Sequence, residues 1–199
     1  EGQYCDIVEG QFYNWLNRYS NNYGDHETAE LHADTLIKQK LDEGFKEVPF
    51  VKTPENDLDV YDKAEWHYGG DFPKELDAFQ GFVHTGMFLG WLVDNSLVSD
   101  EFKRVNEQEI TLFKKRKLTG SQIFERCCDG MLMIDNLNET GNRFASSYFN
   151  LETGQYLSDY AEHLGEDLPG LYHVADTWDN YEKLKRIIDM RFLDWKNQN

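Results

Sequence analysis

Basic residues are scarce in this sequence. Twenty Lys and Arg stand against 37 Asp and Glu over 199 residues, a formal net charge of -17. Such a field repels phosphate backbones and anionic membrane surfaces and draws cationic partners, so free nucleic acid and membrane are excluded as expected ligands. Acidity that serves solubility alone is the commoner origin of such a charge. Cysteine is nearly absent as well. Cys5, Cys127 and Cys128 are odd in number, two are adjacent, and none forms a C-x-x-C pair. Neither a disulfide framework nor a zinc knuckle is indicated, and a reducing cytoplasm is the expected compartment. No apolar run approaches the ~18 residues that would span a bilayer. The opening "EGQYCDIVEG" carries no initiator Met and no basic stretch followed by an apolar one, so no secretory leader is read in it. Phosphate-binding loops, nucleophile elbows, H-E-x-x-H and the dinucleotide fingerprint are all missing, which removes the common enzyme classes they mark. No cofactor is expected.

What is abundant is aromatic. Rings make up 15% of the chain and hydrophobic residues 40%, enough for a packed core and against disorder. The length suits one good-sized core, or a small domain joined to a larger one.

The fold class read from the pattern is α+β: a small N-terminal hairpin-plus-helix unit over residues 1–51, then a mainly α-helical domain over 57–199 with few short strands. "QYCDIV" and "FYNWLNRYS", joined at Glu9-Gly10, read as a hairpin. Ala29, Ala33, Leu36, Ile37 and Leu41 fall at helical spacing, with Asp25 to open the helix and Gly44 to stop it. "FKEVPFVKTPEND", with Pro49 and Pro54, reads as the boundary. Beyond it, "QGFVHTGMFLGWLVDNSL" reads as a central helix and "SDEFKRVNEQEITLFKKRK" as one outer helix with Phe102, Val105, Ile110 and Phe113 inward. In "LTGSQIFERCCDG", Thr119 and Gln122 have capping-box spacing and Gly130 is a stop. "LNETGNRFASSYFN" reads as a helix broken or begun near Gly141, and Leu171–Val174 as a short strand. Trp178, Tyr181, Leu184, Ile188, Phe192 and Trp195 form one stripe of a long terminal helix, opened by Asp176 or Thr177.

No catalytic set and no metal-ligating set is legible. Asp57, Asp59 and Asp62 cluster in "DLDVYD" but lack the ligand order and the Gly of a calcium loop, so they read as a solvated acidic stretch. His84 reads as a buried imidazole bonded to a backbone carbonyl. His67 could serve as acid or base if Asp71 or Glu65 oriented it. Cys127 and Cys128 read as structural, since Asp129 and Glu125 oppose a reactive thiolate.

Two turn-flanked stretches, "WHYGGDFP" and "LPGLYHVADTWDNY", couple rings to carboxylates. Trp66, His67, Tyr68 and Asp71 in the first, and Tyr172, Asp176, Trp178 and Asp179 in the second, form a candidate surface for Lys or Arg of a partner through cation–π and charge-assisted contacts. The bland alternative is that these rings seal the ends of the core, as most aromatics do.

The landmarks "WHYGGDFP", "HTGMFLGWLVDNSL", "LTGSQIFERCCDG", "LNETGNRFASSYF", "YLSDY" and "LYHVADTWDNYEKL…RFLDWK" resemble a family of uncharacterised bacterial domains. That family has no established activity to carry to any residue. "HADTLIKQKLDEGFKEV" resembles the closing helix and strand of WGR domains. The Trp-Gly-Arg tripeptide itself does not occur, and "NWLNRYS" is at best a degenerate form of it. The WGR resemblance implies DNA-end binding, which the net charge opposes, or a regulatory role beside DNA-processing proteins. In character the chain is similar to immunity proteins, which neutralise a toxin by occluding a basic active site. The expected function is therefore an acidic module for a basic protein partner. An enzyme with a pocket around His67, His84 or Asp176, or a regulatory module beside DNA-processing proteins, stands as the alternative.

Overall fold

β-branched and aromatic residues favour an extended chain in "QYCDIVE", and in the computed structural model Gln3–Glu9 is strand β1, paired antiparallel with β2, Asn17–Tyr23. The structure describes residues 3–9, 17–23, 35, 38–39, 41–44, 60–68, 72–150 and 153–198. The chain divides into two compact units, Glu1–Lys52 and Thr53–Asn199. In the first unit the register sets Glu9 opposite Asn17. The second strand is Asn17–Tyr23, and the expected joint at Gly10 lies outside the described residues. Thr35, Lys38, Gln39, Leu41 and Asp42 are helical. Gly44 follows at φ +95°, the left-handed stop that glycine accepts without strain. The start of that helix at Asp25 and the boundary stretch 45–57 lie outside the described residues.

The second unit is mostly helical. Its central element is α1, Val83–Asp94, whose residues 83–93 are buried on every side, as a helix apolar all round must be. α2 (Asp100–Val105) and α3 (Glu107–Lys114) lie where one outer helix was expected. Asn106 separates them: its side-chain amide donates to the Phe102 carbonyl at 3.0 Å and so competes with the helical ladder. Phe102, Ile110 and Phe113 are buried, but Val105 points outward, 54% exposed.

α4, Gly120–Cys128, opens with the expected capping box of Thr119 and Gln122 and closes at Asp129 (φ 49°) and Gly130 (φ 68°). α4 crosses α1 nearly backbone to backbone: a Cβ on Gly120 would sit 2.1 Å from the Gly86 carbonyl oxygen, and one on Gly86 2.2 Å from Ser121 Cα. Only hydrogen fits there.

α5, Glu139–Tyr148, is capped by Asn138, whose side-chain oxygen accepts from the Gly141 N–H. α6 is Tyr156–Leu164 and α7 is Trp178–Gln198. Thr177, not Asp176, caps α7, its hydroxyl accepting from the Asn180 N–H at 3.2 Å. Tyr181, Leu184 and Ile188 of the expected stripe are buried, with Trp178, Phe192 and Trp195 packed against the same core.

Two short strands complete the unit: β3, Val60–Lys63, and β4, Met131–Met133, paired antiparallel with a bulge between Val60 and Asp62. Most rings go inward. Phe88, Trp91, Phe144, Tyr148, Phe149 and Tyr156 pack with centroids 4.5–6.3 Å apart, the offset and edge-on geometry aromatic pairs prefer. Several buried hydroxyls and ring N–H groups end on acceptors, although the Tyr160 hydroxyl has none. Trp91 Nε1 donates to Asp189, Tyr181 to Asp94, and Tyr148 to Asp159, which Arg191 also grips with two N–H groups.

Candidate functional site: a buried carboxylate between two imidazoles

The bulge in β3 turns Asp62 inward beside Leu132, both fully buried. This corrects the sequence reading of Asp62 as part of a solvated acidic stretch. A lone buried carboxylate would not stay ionised, and here three donors meet it. His67 Nε2 lies 2.9 Å from Oδ1, His84 Nε2 3.2 Å from Oδ2, and the Thr85 hydroxyl donates to Oδ2. Burial pushes the Asp62 pKa up, but the hydrogen bond from His67, the close approach of His84 and the charge of the two imidazoles outweigh it. The carboxyl is held well below the usual carboxylate range.

Four pieces of chain build the cluster. β3 brings Asp62, and the single helical turn after it, Ala64–His67, brings His67 back over its own strand. The first turn of α1 supplies His84 and Thr85 as neighbours. The turn Leu171–His173 supplies Tyr172, whose hydroxyl is 3.0 Å from His67 Nδ1. Gln80 holds that turn in place through its amide, which donates to the carbonyls of Tyr172 and Val174. Because Gln80 claims those carbonyls and Gly170 lies just before, 171–174 forms a helical turn instead of the expected strand.

His84 is buried, as expected, but its Nε2 faces Asp62 and not a backbone carbonyl; its own carbonyl accepts from Tyr156 at 2.5 Å. His67 is oriented by Asp62 and not by Glu65. The two imidazoles meet edge to face at 4.4 Å.

The candidate surface residues divide. Trp66 and Tyr68 stand out, 49% and 41% exposed, and Leu171 and Leu168 beside Tyr172 in the chain are 37% and 38% exposed. Phe72 joins Tyr68 to Tyr172 with ring distances of 5.6 and 4.9 Å. Burial, then the charges of Glu125 and Asp77, push the Tyr68 phenol up to about 12. Tyr68 therefore lies near carboxylates, with Glu65 and Glu75 exposed nearby in the chain, while the Lys63 ammonium lies 5.4 Å from the centroid of the Trp66 ring. Asp71 lies outside the described residues.

Tyr172 joins the first stretch, whereas the rest of the second goes elsewhere. Asp176 accepts from Thr119 (2.5 Å) and Ser121 (2.9 Å), tying the lead-in of α7 to α4. Trp178 packs on Phe113 and Tyr181 with the Arg116 guanidinium 4.1 Å over its ring. Asp179 is an exposed residue of the first turn of α7. The bland alternative holds for Asp176 and Trp178. Sequence reasoning missed Asp62 and Thr85 because nothing local marks an acid or a hydroxyl that a distant element will bury.

Cys127 and Cys128 are held as thiols by burial, not by the expected charges of Asp129 and Glu125. Burial, then Glu109, push the Cys127 thiol up to about 12, and the fully buried Cys128 is raised further. A shallow hollow of about 440 Å³ lies on α3 between Glu107, Gln108, Thr111 and Leu112; a tighter one between Met87, Asp176 and Trp178 has no room for water. Neither includes Asp62. Among the described residues no helix is long and apolar enough to cross a membrane.

No curated protein and no solved structure matches the chain. The model of a family described as a domain of unknown function (DUF7832) matches residues 60–174, from β3 through Tyr172 and its turn. That span is more than half of the sequence and holds Asp62, His67, His84 and Tyr172 together, and the chain belongs to that family.

Proposed function

We propose that this chain is an acidic protein-binding module that seats a cationic protein surface on the rings of Trp66, Tyr68, Phe72 and Tyr172, in the manner of an immunity protein occluding a toxin. The observation that carries the reading is the exposure of Trp66 and Tyr68, while the other rings among the described residues of the second unit are buried or half-buried. Exposed Trp and Tyr are common anchors of interfaces, and a surrounding acidic field speeds the approach of a basic partner. Asp176, Trp178 and Asp179 drop out of the proposed surface, because the first two are engaged inside the fold. The WGR-like reading of residues 1–51 would add a second contact surface to the same module.

A photo-crosslinking residue placed at 66 or 68 in the native host should capture a basic protein, while one placed at the exposed Met190 of α7 should not. With that protein purified, Trp66→Ala should weaken binding about 30-fold or more, and added salt should slow association. Equal capture from position 190, or an acidic captured protein, would defeat the proposal.

A further inference from the structure

Two hydrogen bonds reach the buried Asp62 carboxylate. Thr85 already donates to Oδ2, and His67 suffices for Oδ1. His84 Nε2 also points at the carboxylate from 3.2 Å, yet it has no hydrogen-bond partner and its side chain is only 8% exposed. An imidazole nitrogen left unpaired in a dry site, aimed at an anion, needs a physical reason. A cation between the nitrogens and the carboxylate supplies one.

We propose that Asp62, His67 and His84 bind one divalent first-row transition ion of the zinc class through a carboxylate oxygen and the two Nε2 atoms. The donor atoms all lie within 4.8 Å of one another. An ion held at about 2.0–2.2 Å in a tetrahedral shell keeps its donors roughly 3.3 Å apart; His67 Nε2 at 2.9 Å from Oδ1 and His84 Nε2 at 3.2 Å from Oδ2 each lie near that spacing, one imidazole to each carboxylate oxygen. Two imidazoles and one carboxylate select zinc-like ions over calcium and magnesium, which take oxygen shells.

The outer contacts are those a metal site uses. Thr85 fixes the carboxylate, and Tyr172 meets the far nitrogen of His67, the position from which a second partner sets ring orientation and ligand basicity. Three protein ligands leave a coordination position for solvent or a partner's side chain. The accessible edge is on the His67 side, where that side chain is 15% exposed. The inference is independent of the protein-binding reading: a metal can bind here whether or not Trp66 and Tyr68 grip anything. The second acid-imidazole cluster, Asp159, Glu162 and His163, is a weaker candidate, because Arg191 and Tyr148 already occupy Asp159.

The test is calorimetric titration of Zn(II) into the chelator-treated full chain, with Co(II) as a spectroscopic probe. One equivalent should bind, and Co(II) should give visible bands of low-coordinate geometry. His67→Gln should weaken Zn(II) at least 100-fold with an unchanged circular dichroism spectrum, Tyr172→Phe about 10-fold, and His163→Gln not at all. Should His67→Gln misfold, the ring-nitrogen NMR shifts of the wild-type histidines decide: Zn(II) must move His67 and His84. No saturable binding, undiminished binding in folded His67→Gln, loss in His163→Gln, or shifts confined to other histidines would each overturn the proposal.

Discussion

Two stretches of this chain are nearly alike in composition, and the fold uses them in opposite ways. "YDKAEWHYGGDFP" and "LYHVADTWDNY" both mix Trp, Tyr and His with Asp. In the first, the carboxylate is driven fully into the interior and met by two imidazoles, while the rings of Trp66 and Tyr68 stay outside. In the second, Asp176 is tied down by two hydroxyls, and Trp178 is wedged between Phe113, Tyr181 and Arg116. The deciding factor is the partner across the fold. α1 presents His84 and Thr85 to one stretch, while α4 and its cap present Ser121 and Thr119 to the other. Imidazoles can share a proton or a metal ion with a carboxylate, whereas hydroxyls only anchor it.

The largest expected effect separates the two carboxylates. Asp62→Ala should destabilise the second unit by about 3–5 kcal/mol, since it strands three buried donors. Asp176→Ala, which frees the hydroxyls of half-buried Thr119 and buried Ser121, should cost about 1–3 kcal/mol. Denaturant midpoints at fixed slope measure both, and a larger loss at Asp176 would break the contrast.

The rings come next. Trp178→Ala should cost about 2–3 kcal/mol, as a half-buried indole leaves a gap beside Phe113. Trp66→Ala should stay within about 0.5 kcal/mol while impairing partner binding. A comparable loss of stability at Trp66 would mean that it too seals the core.

The smallest effect is the most diagnostic, because it carries a sign. The Asp62 carboxyl is held below its ordinary range, so the folded chain binds its proton less tightly than the unfolded chain does. Its contribution is present above about pH 4 and fades as pH falls toward the folded value. The Asp176 carboxyl is raised by burial, against the pull of Thr119 and Ser121. Its contribution is present below about pH 4 and fades as pH rises through the folded value. Melting temperatures of Asp62→Asn and Asp176→Asn, each subtracted from wild type between about pH 3 and pH 6, should slope in opposite directions. Parallel slopes would make the two sites electrostatically equivalent after all.

Much of the fold was legible because it is locally encoded. The stripe of α7, the capping box of Thr119 and Gln122, and the stop at Gly130 are readable from spacing alone. Long-range bonds were not. Asn106 looks like one more polar residue of an outer helix until its amide is seen on Phe102. Leu171–Val174 looks like a strand until Gln80, ninety residues earlier, takes its carbonyls. The site was half legible. His67, Tyr172 and the exposed rings stood out by type. Asp62 did not, for a bulge that turns one acid inward leaves no mark in a five-letter stretch such as "DVYDK".

The glycine crossing of α1 and α4 has a mechanical consequence. Gly86 adjoins Thr85, which holds Asp62, and lies against Ser121, which holds Asp176. With no side-chain cushion at that junction, neither helix can slip along the other, so the anchors of the two acids are geared to a single axle. A side chain added at Gly86 or Gly120 should therefore disturb both acid anchors together.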